Sequence, residues 1–247
     1  MRVLVTRPEP GGKRTAERLA ELGHDPVLMP LFETAITAAV DDLPPVAEIG
    51  GLIATSARAF AMFDRQDVSE SGLRDVPIHV VGPATALAAT EAGFRDVRDG
   101  GGTALALSKT LSCGGRSGSG EGMPMALVYL AGVPRTPVIE AALVSENITH
   151  SVVECYKMNE ISYSTDILKT DILSPAPDVI LLYSANAARR FSTLTDAKEL
   201  GKTLDSTRFL CLSPAISTEL HRDWQDRVIV ATRPDEDSLL ASLAALE

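Results

Sequence analysis

Residues 51–63 read GLIATSARAFAMF, and residues 178–191 read DVILLYSANAARRF. Each is a short apolar run that fits a strand buried on both faces, then a small polar turn, then small and apolar residues at helical spacing. Ser56 and Ser184 fall at the same point of the two stretches, just past the apolar run and just before Ala. The surroundings return as well. MRVLVTRPEPGGKRTAERLAELGHDPVLMPLF (1–32) matches MALVYLAGVPRTPVIEAALVSENITHSVVECY (125–156) in plan, each a strand, an arginine-bearing turn, a helix and a strand. IHVVGPATALAATEAGF (78–94) lines up with RFLCLSPAISTELHRDW (208–224), Ser213-Pro214-Ala215 standing where Gly82-Pro83-Ala84 stands. One βα set therefore occurs twice. Units of this length are far too long for a solenoid repeat and imply two similar α/β domains, each a parallel sheet flanked by helices.

Working outward, Val3-Leu4-Val5 predicts a first strand, and Ala16, Leu19, Ala20 and Leu22 predict a helix capped by Gly23. Val27 to Phe32 completes a βαβ unit. Residues 34–50, with a Pro-Pro pair, read as a connector plus a short helix. The spacing then predicts a strand over Leu52–Ala54 with a helix opening near Ser56, and a strand over Ile78–Val81 with a helix from about Thr85 to a Gly93 cap. Thr103 to Leu111 is a further amphipathic helix. CGGRSGSGEG (113–122) is a surface loop by composition. EISYSTDILKTD (160–171) is a second connector. If both connectors cross between the domains, the first unit joins the last two and the middle three form the other domain; two sequential domains are equally simple.

The bulk properties close off several functions. The formal net charge is −10, with no basic block, which disfavours nucleic acid as a partner. No apolar run has the length of a membrane span, and the N-terminus lacks a signal-peptide h-region, so the expectation is a cytoplasmic protein with no membrane partner. Cys113, Cys155 and Cys211 form an odd, scattered set that reads as reduced thiols. His24, His79, His150 and His221 stand singly, without metal-ligand spacing, and no metal is expected. Dinucleotide, phosphate-loop and nucleophile-elbow motifs are all missing. A monomer is the default.

Ligands of open α/β sheets lie beyond the carboxyl ends of the strands. There the sequence places Thr55-Ser56, Gly82, Thr85, Gly132, Ser184, Ser213 and Ser217. Each alone reads first as a helix cap; as a set they offer hydroxyls and backbone N–H groups to an anion. Arg7 and Arg135 follow the first strand of each repeat and suit carboxylates, with a solvated loop arginine as the plain alternative. Tyr156 ends a strand just before the second connector, with half-buried packing as its plain alternative. Nothing here reads as strong acid–base, nucleophilic or metal chemistry. Such a site works by binding and orienting.

VLVTRP (3–8), GLIATSARAF (51–60), VVGPATALAATEAGF (80–94), YLAG with Arg135 (129–135), ECY (154–156) and ILLYSANAARRF (180–191) together resemble uroporphyrinogen-III synthase, in order and over nearly the whole chain. The resemblance implies two α/β domains joined by a two-stranded linker: 1–34 with 163–247, an inserted domain over 40–156, and connectors at 35–39 and 157–162. It implies cyclisation of hydroxymethylbilane to uroporphyrinogen III through a spiro intermediate, with ring D inverted and no cofactor. It gives Tyr156 the part of assisting hydroxide departure, and gives Ser56, Thr85 and Ser184 the substrate carboxylates. Gly82, Gly132, Ser213, Ser217, Arg7 and Arg135 fill out the binding set. The partners implied are an anionic linear tetrapyrrole and, transiently, the enzyme that makes it. LSPAIS (212–217) departs from the family's Gly-x-Thr-Ala turn: Ser213 replaces Gly, and Ile216 sits near the usual hydroxyl, with Ser217 as the nearest substitute. Two rivals follow, a paralogue that binds tetrapyrroles without cyclising them and, ranked last, a hinged two-domain small-molecule binding protein.

Overall fold

The computed structural model describes residues 1–63, 72–101, 106–107, 125–195 and 198–246. The chain begins with β1 (Arg2–Val5), α1 (Gly11–Glu21), β2 (Asp25–Leu28), β3 (Phe32–Ile36) and β4 (Ile49–Ala54). A 3₁₀ helix at Ala57–Phe63 precedes β5 (Ile78–Val80), α2 (Pro83–Glu91) and β6 (Val97–Asp99). Then come β7 (Ala126–Val133), α3 (Val138–Ser145) and β8 (His150–Glu160). The last part holds β9 (Val179–Leu182), α4 (Ala185–Thr195), α5 (Lys198–Thr203), β10 (Arg208–Cys211), α6 (Pro214–Ser217), β11 (Val228–Val230) and α7 (Glu236–Ala244).

Two compact units result, Met1–Glu33 with Asn159–Glu247, and Thr34–Met158. The first holds a parallel sheet in the order β11-β10-β9-β1-β2. The second holds β6-β5-β4-β7-β8, again parallel, with β3 added at the β8 edge. Thr37 N donates to Cys155 O and Ile161 N to Leu31 O, so β3 and β8 run antiparallel. Apart from β3 the two strand orders are the same, which is the structural meaning of the sequence repeat.

The apolar runs are continuous because the central strands are buried on both faces. In the first sheet Leu4, Ile180, Leu182 and Phe209 enter one core layer while Val3, Val5, Val179 and Leu181 enter the other. In the second, Leu52, Ala54, Val128 and Leu130 face one layer and Ile53, Tyr129 and Ala131 the other. Among the described residues no helix is long and apolar enough to cross a membrane.

Local departures from the sequence reading have local causes. The second strand ends at Leu28, not Phe32: Pro30 has no N–H to give the ladder, and Phe32 opens β3 instead. Helix α1 begins at Gly11 and buries Thr15 and Leu19, while Leu22 is exposed. Gly23 does cap it, at φ +82. Residues 34–50, expected as a connector plus a short helix, hold the end of β3, two single 3₁₀ turns and the start of β4. The expected connector at 160–171 is partly helical: Ser164 accepts from Ile167 N at the start of the helical stretch, while Leu168 and Ile172 turn one face into the core. Tyr156 lies within β8, which runs on to Glu160, so it does not end a strand. The helix expected over 103–111, apart from Ala106 and Leu107, and the loop over 113–122 with Cys113 fall outside the described residues.

Candidate functional site

In the second unit the carboxyl ends of β4, β5 and β7 gather the expected residues. After β4, Ser56 accepts a hydrogen bond from Arg58 N at 3.3 Å, and Thr55 Oγ1 lies 3.1 Å from the hydroxyl of buried Tyr129. Burial raises the Tyr129 pKa, partly offset by the Thr55 hydrogen bond. After β5, Gly82 takes φ 77 and ψ 163, a backbone region open essentially to glycine. Its N–H donates to Asp99 Oδ1 at 3.1 Å, and Gly101 N donates to the same oxygen at 3.0 Å. Thr85 is buried in the first turn of α2, its N–H bonded to Gly82 O.

On β7 the backbone of Gly132 lies beneath Tyr156, paired with it across an irregularity of register between Ala131 and Gly132. Arg135 follows. Its guanidinium holds Glu140 at 2.9 Å and Glu154 at 2.9 Å, and reaches Gly132 O at 3.4 Å. Gly132, Arg135 and Tyr156 thus form one contiguous group.

The first unit builds a comparable edge. Arg7, just after β1, pairs with Glu236 at 3.0 Å and stacks 4.5 Å from the centroid of the Tyr183 ring. The Glu236 carboxylate also accepts from Thr15, Tyr183 and Arg18. Burial alone would raise its pKa, but the Thr15 and Tyr183 hydroxyls and the two guanidiniums outweigh this and hold it below the usual value. Ser184 is exposed after β9 and caps α4 through Ala187 N at 3.1 Å. Ser213 precedes α6 without a side-chain cap bond, Ser217 donates to Pro214 O at 2.7 Å, and Ile216 is buried in the core.

Both arginines proposed for an anionic ligand therefore already hold protein carboxylates. Among the described residues no group of three or more His, Cys, Asp or Glu side chains is arranged to hold a metal. Burial pushes the Cys155 and Cys211 thiols up to about 12, so neither is a nucleophile near neutrality.

The model of the family described as uroporphyrinogen-III synthase HemD matches residues 13–241. The chain belongs to the uroporphyrinogen-III synthase family. A curated relative within reach of sequence comparison, a porphyrin biosynthesis protein HemD of Ruminiclostridium josui, is 24% identical over 98% of this chain. The chain spans about half of that relative's length, 48%. Among solved structures, uroporphyrinogen-III synthetase from Helicobacter pylori is similar over 100% of both chains, with TM-score 0.67 at 13% identity. A mutant uroporphyrinogen III synthase from Thermus thermophilus is similar over 99% of this chain and 98% of its own, with TM-score 0.56 at 19% identity. These likenesses place this uroporphyrinogen-III synthase family member in the two-domain α/β fold, and family membership implies a role in tetrapyrrole biosynthesis.

Reading the sequence alone missed several polar partners of this family member: Asp99, Tyr129, Glu154, Tyr183 and Glu236. Glu140 was within reach, because it lies in the first turn of the helix that Arg135 precedes. Glu236 was not, since it meets Arg7 from the far end of the chain and no local spacing joins them.

Proposed function

We propose that this protein closes linear hydroxymethylbilane to uroporphyrinogen III, inverting ring D and expelling the terminal hydroxyl as water. The observation that carries the reading is the family match across residues 13–241. The chemistry at the strand ends agrees with it. The substrate bears two carboxylates on each pyrrole, and the protein bears net charge −10, so attachment must rest on local positive ends and not on overall attraction. Helix α4 offers such an end: Ser184 sits exposed at its cap, and the amides of Ala185 and Asn186 have no partner among the described residues. Each exposed carboxylate held this way contributes about 0.3–1 kcal/mol. Several, together with apolar contact, approach the roughly 8 kcal/mol of micromolar binding.

Ser56, Gly82, Thr85, Ser213 and Ser217 extend the same set in the proposal. Helix α2 is the weaker anchor, because Asp99 already takes the Gly82 amide and Pro83 has none. Arg7 and Arg135 act at one remove, fixing the turns after β1 and β7 through their carboxylate partners. Loss of hydroxyl from an electron-rich pyrrole needs little acid, and the Tyr156 hydroxyl assists it. Most of the rate comes from holding the flexible chain so that inverting closure outruns simple closure. Tyr156→Phe is expected to lower kcat about ten- to a hundredfold with KM and thermal midpoint unchanged. Wild-type turnover would remove Tyr156 from the reaction.

A further inference from the structure

Strand β8 carries one residue more than β7 at the point where the two meet the site: Ala131 pairs with Glu154, and Gly132 with Tyr156. The extra residue is Cys155. A two-against-one count is a β-bulge, which re-aims the side chains around it. Cys155 and Tyr156 accordingly pack against the same core layer, where regular alternation would send them to opposite faces. The re-aimed tyrosine ring comes to lie on Gly132. A Cβ at Gly132 would stand 2.6 Å from Cε2 of Tyr156 and closer still to its Cζ and hydroxyl oxygen. The atoms in the way are the far end of a side chain, not backbone. The Gly132 backbone itself lies outside the left-handed region, so alanine fits its conformation. The three atoms nearest that Cβ all belong to the Tyr156 ring and its hydroxyl.

We propose that Gly132 is a positioning residue for Tyr156: the missing side chain lets the ring settle onto β7 and so sets where its hydroxyl stands. Arg135 clamps the same segment, bridging Glu140 and Glu154 and reaching Gly132 O. The inference rests on the part given to Tyr156 in the proposed reaction, and it makes Gly132 a determinant of turnover, not a contact for the substrate.

Two measurements test it. In a crystal structure of Gly132→Ala the Tyr156 ring should be swung aside with the β7–β8 register kept; a ring still in place between parted strands would overturn the proposal. In a kinetic cycle, Gly132→Ala should lower kcat about tenfold with KM within about twofold, and should cost less than about twofold when added to Tyr156→Phe. The phenylalanine ring is displaced by the alanine just as the tyrosine ring is, so a loss caused by loosened packing would recur in both backgrounds. Equal losses in the two backgrounds, or full turnover by Gly132→Ala, would overturn it. Tyr156→Phe read by itself separates the two layers: wild-type turnover there defeats the tyrosine's role, whereas a slow Tyr156→Phe with equal alanine losses defeats the positioning alone.

Discussion

Ser213 and Gly82 occupy the same place in the two repeats, yet their backbones differ. Gly82 takes φ 77, whereas Ser213 is extended at φ −155, which any residue adopts. The LSPAIS departure therefore carries no strain, and Ile216 uses the position equivalent to Thr85 to fill the core. Gly82→Ala is predicted to cost about 1–3 kcal/mol in urea unfolding, whereas Ser213→Gly should cost no more than about 1 kcal/mol. At Glu236 the sign of the pH effect follows from the direction of its shift. A carboxyl held below its unfolded value contributes stability that is present above the unfolded pKa and lost as pH falls through the folded one. Glu236→Gln should thus flatten the acid limb of the stability profile below about pH 4.3; an unchanged limb would contradict the network. Mass mapping after alkylation of the native protein should leave the Cys155 and Cys211 peptides unmodified, and rapid labelling of either would contradict their burial.

At the scale of elements, the central strands and the glycine caps were legible because their signals are local, whereas the short strands β6 and β11 and helix α7 were not read from the sequence. The apolar runs of β4 and β9 announce burial on both faces, and Gly23 and Gly93, at φ +82 and +91, end their helices where the spacing placed them. The elements that misled are those whose form depends on distant neighbours. β3 is a strand because β8 lies beside it, and Thr165–Ile172 is helical because Leu168 and Ile172 have a core to enter. In that core Trp224 stacks on Phe209 at 4.9 Å and tilts against Phe191 at 5.9 Å. Trp224→Ala is predicted to cost about 3–5 kcal/mol, read from the urea midpoint at unchanged slope. Ser184→Ala removes the cap of α4 and should cost about 1 kcal/mol. If Ser184 also binds substrate, KM will rise several-fold in the same variant; an unchanged KM would leave it a cap only.

For the whole molecule, the repeat in the sequence became a repeat in topology. β1-β2 flank β9 in one sheet as β7-β8 flank β4 in the other, although the first pair comes from the start of the chain and the second from its middle. The residues alone left sequential and interleaved arrangements open, since pairing between β1 and β9 leaves no mark on either strand. The candidate site was legible as hydroxyls and glycines at strand ends. Its carboxylates were not, because Glu236 and Glu154 have meaning only beside the arginines they neutralise. The central claim is cyclisation with inversion, and product identity tests it most directly. Purified protein is given freshly generated hydroxymethylbilane, and the oxidised porphyrin isomers are separated by chromatography. The account predicts a dominant type III isomer; only type I, the product of unassisted closure, from well-folded protein would contradict it.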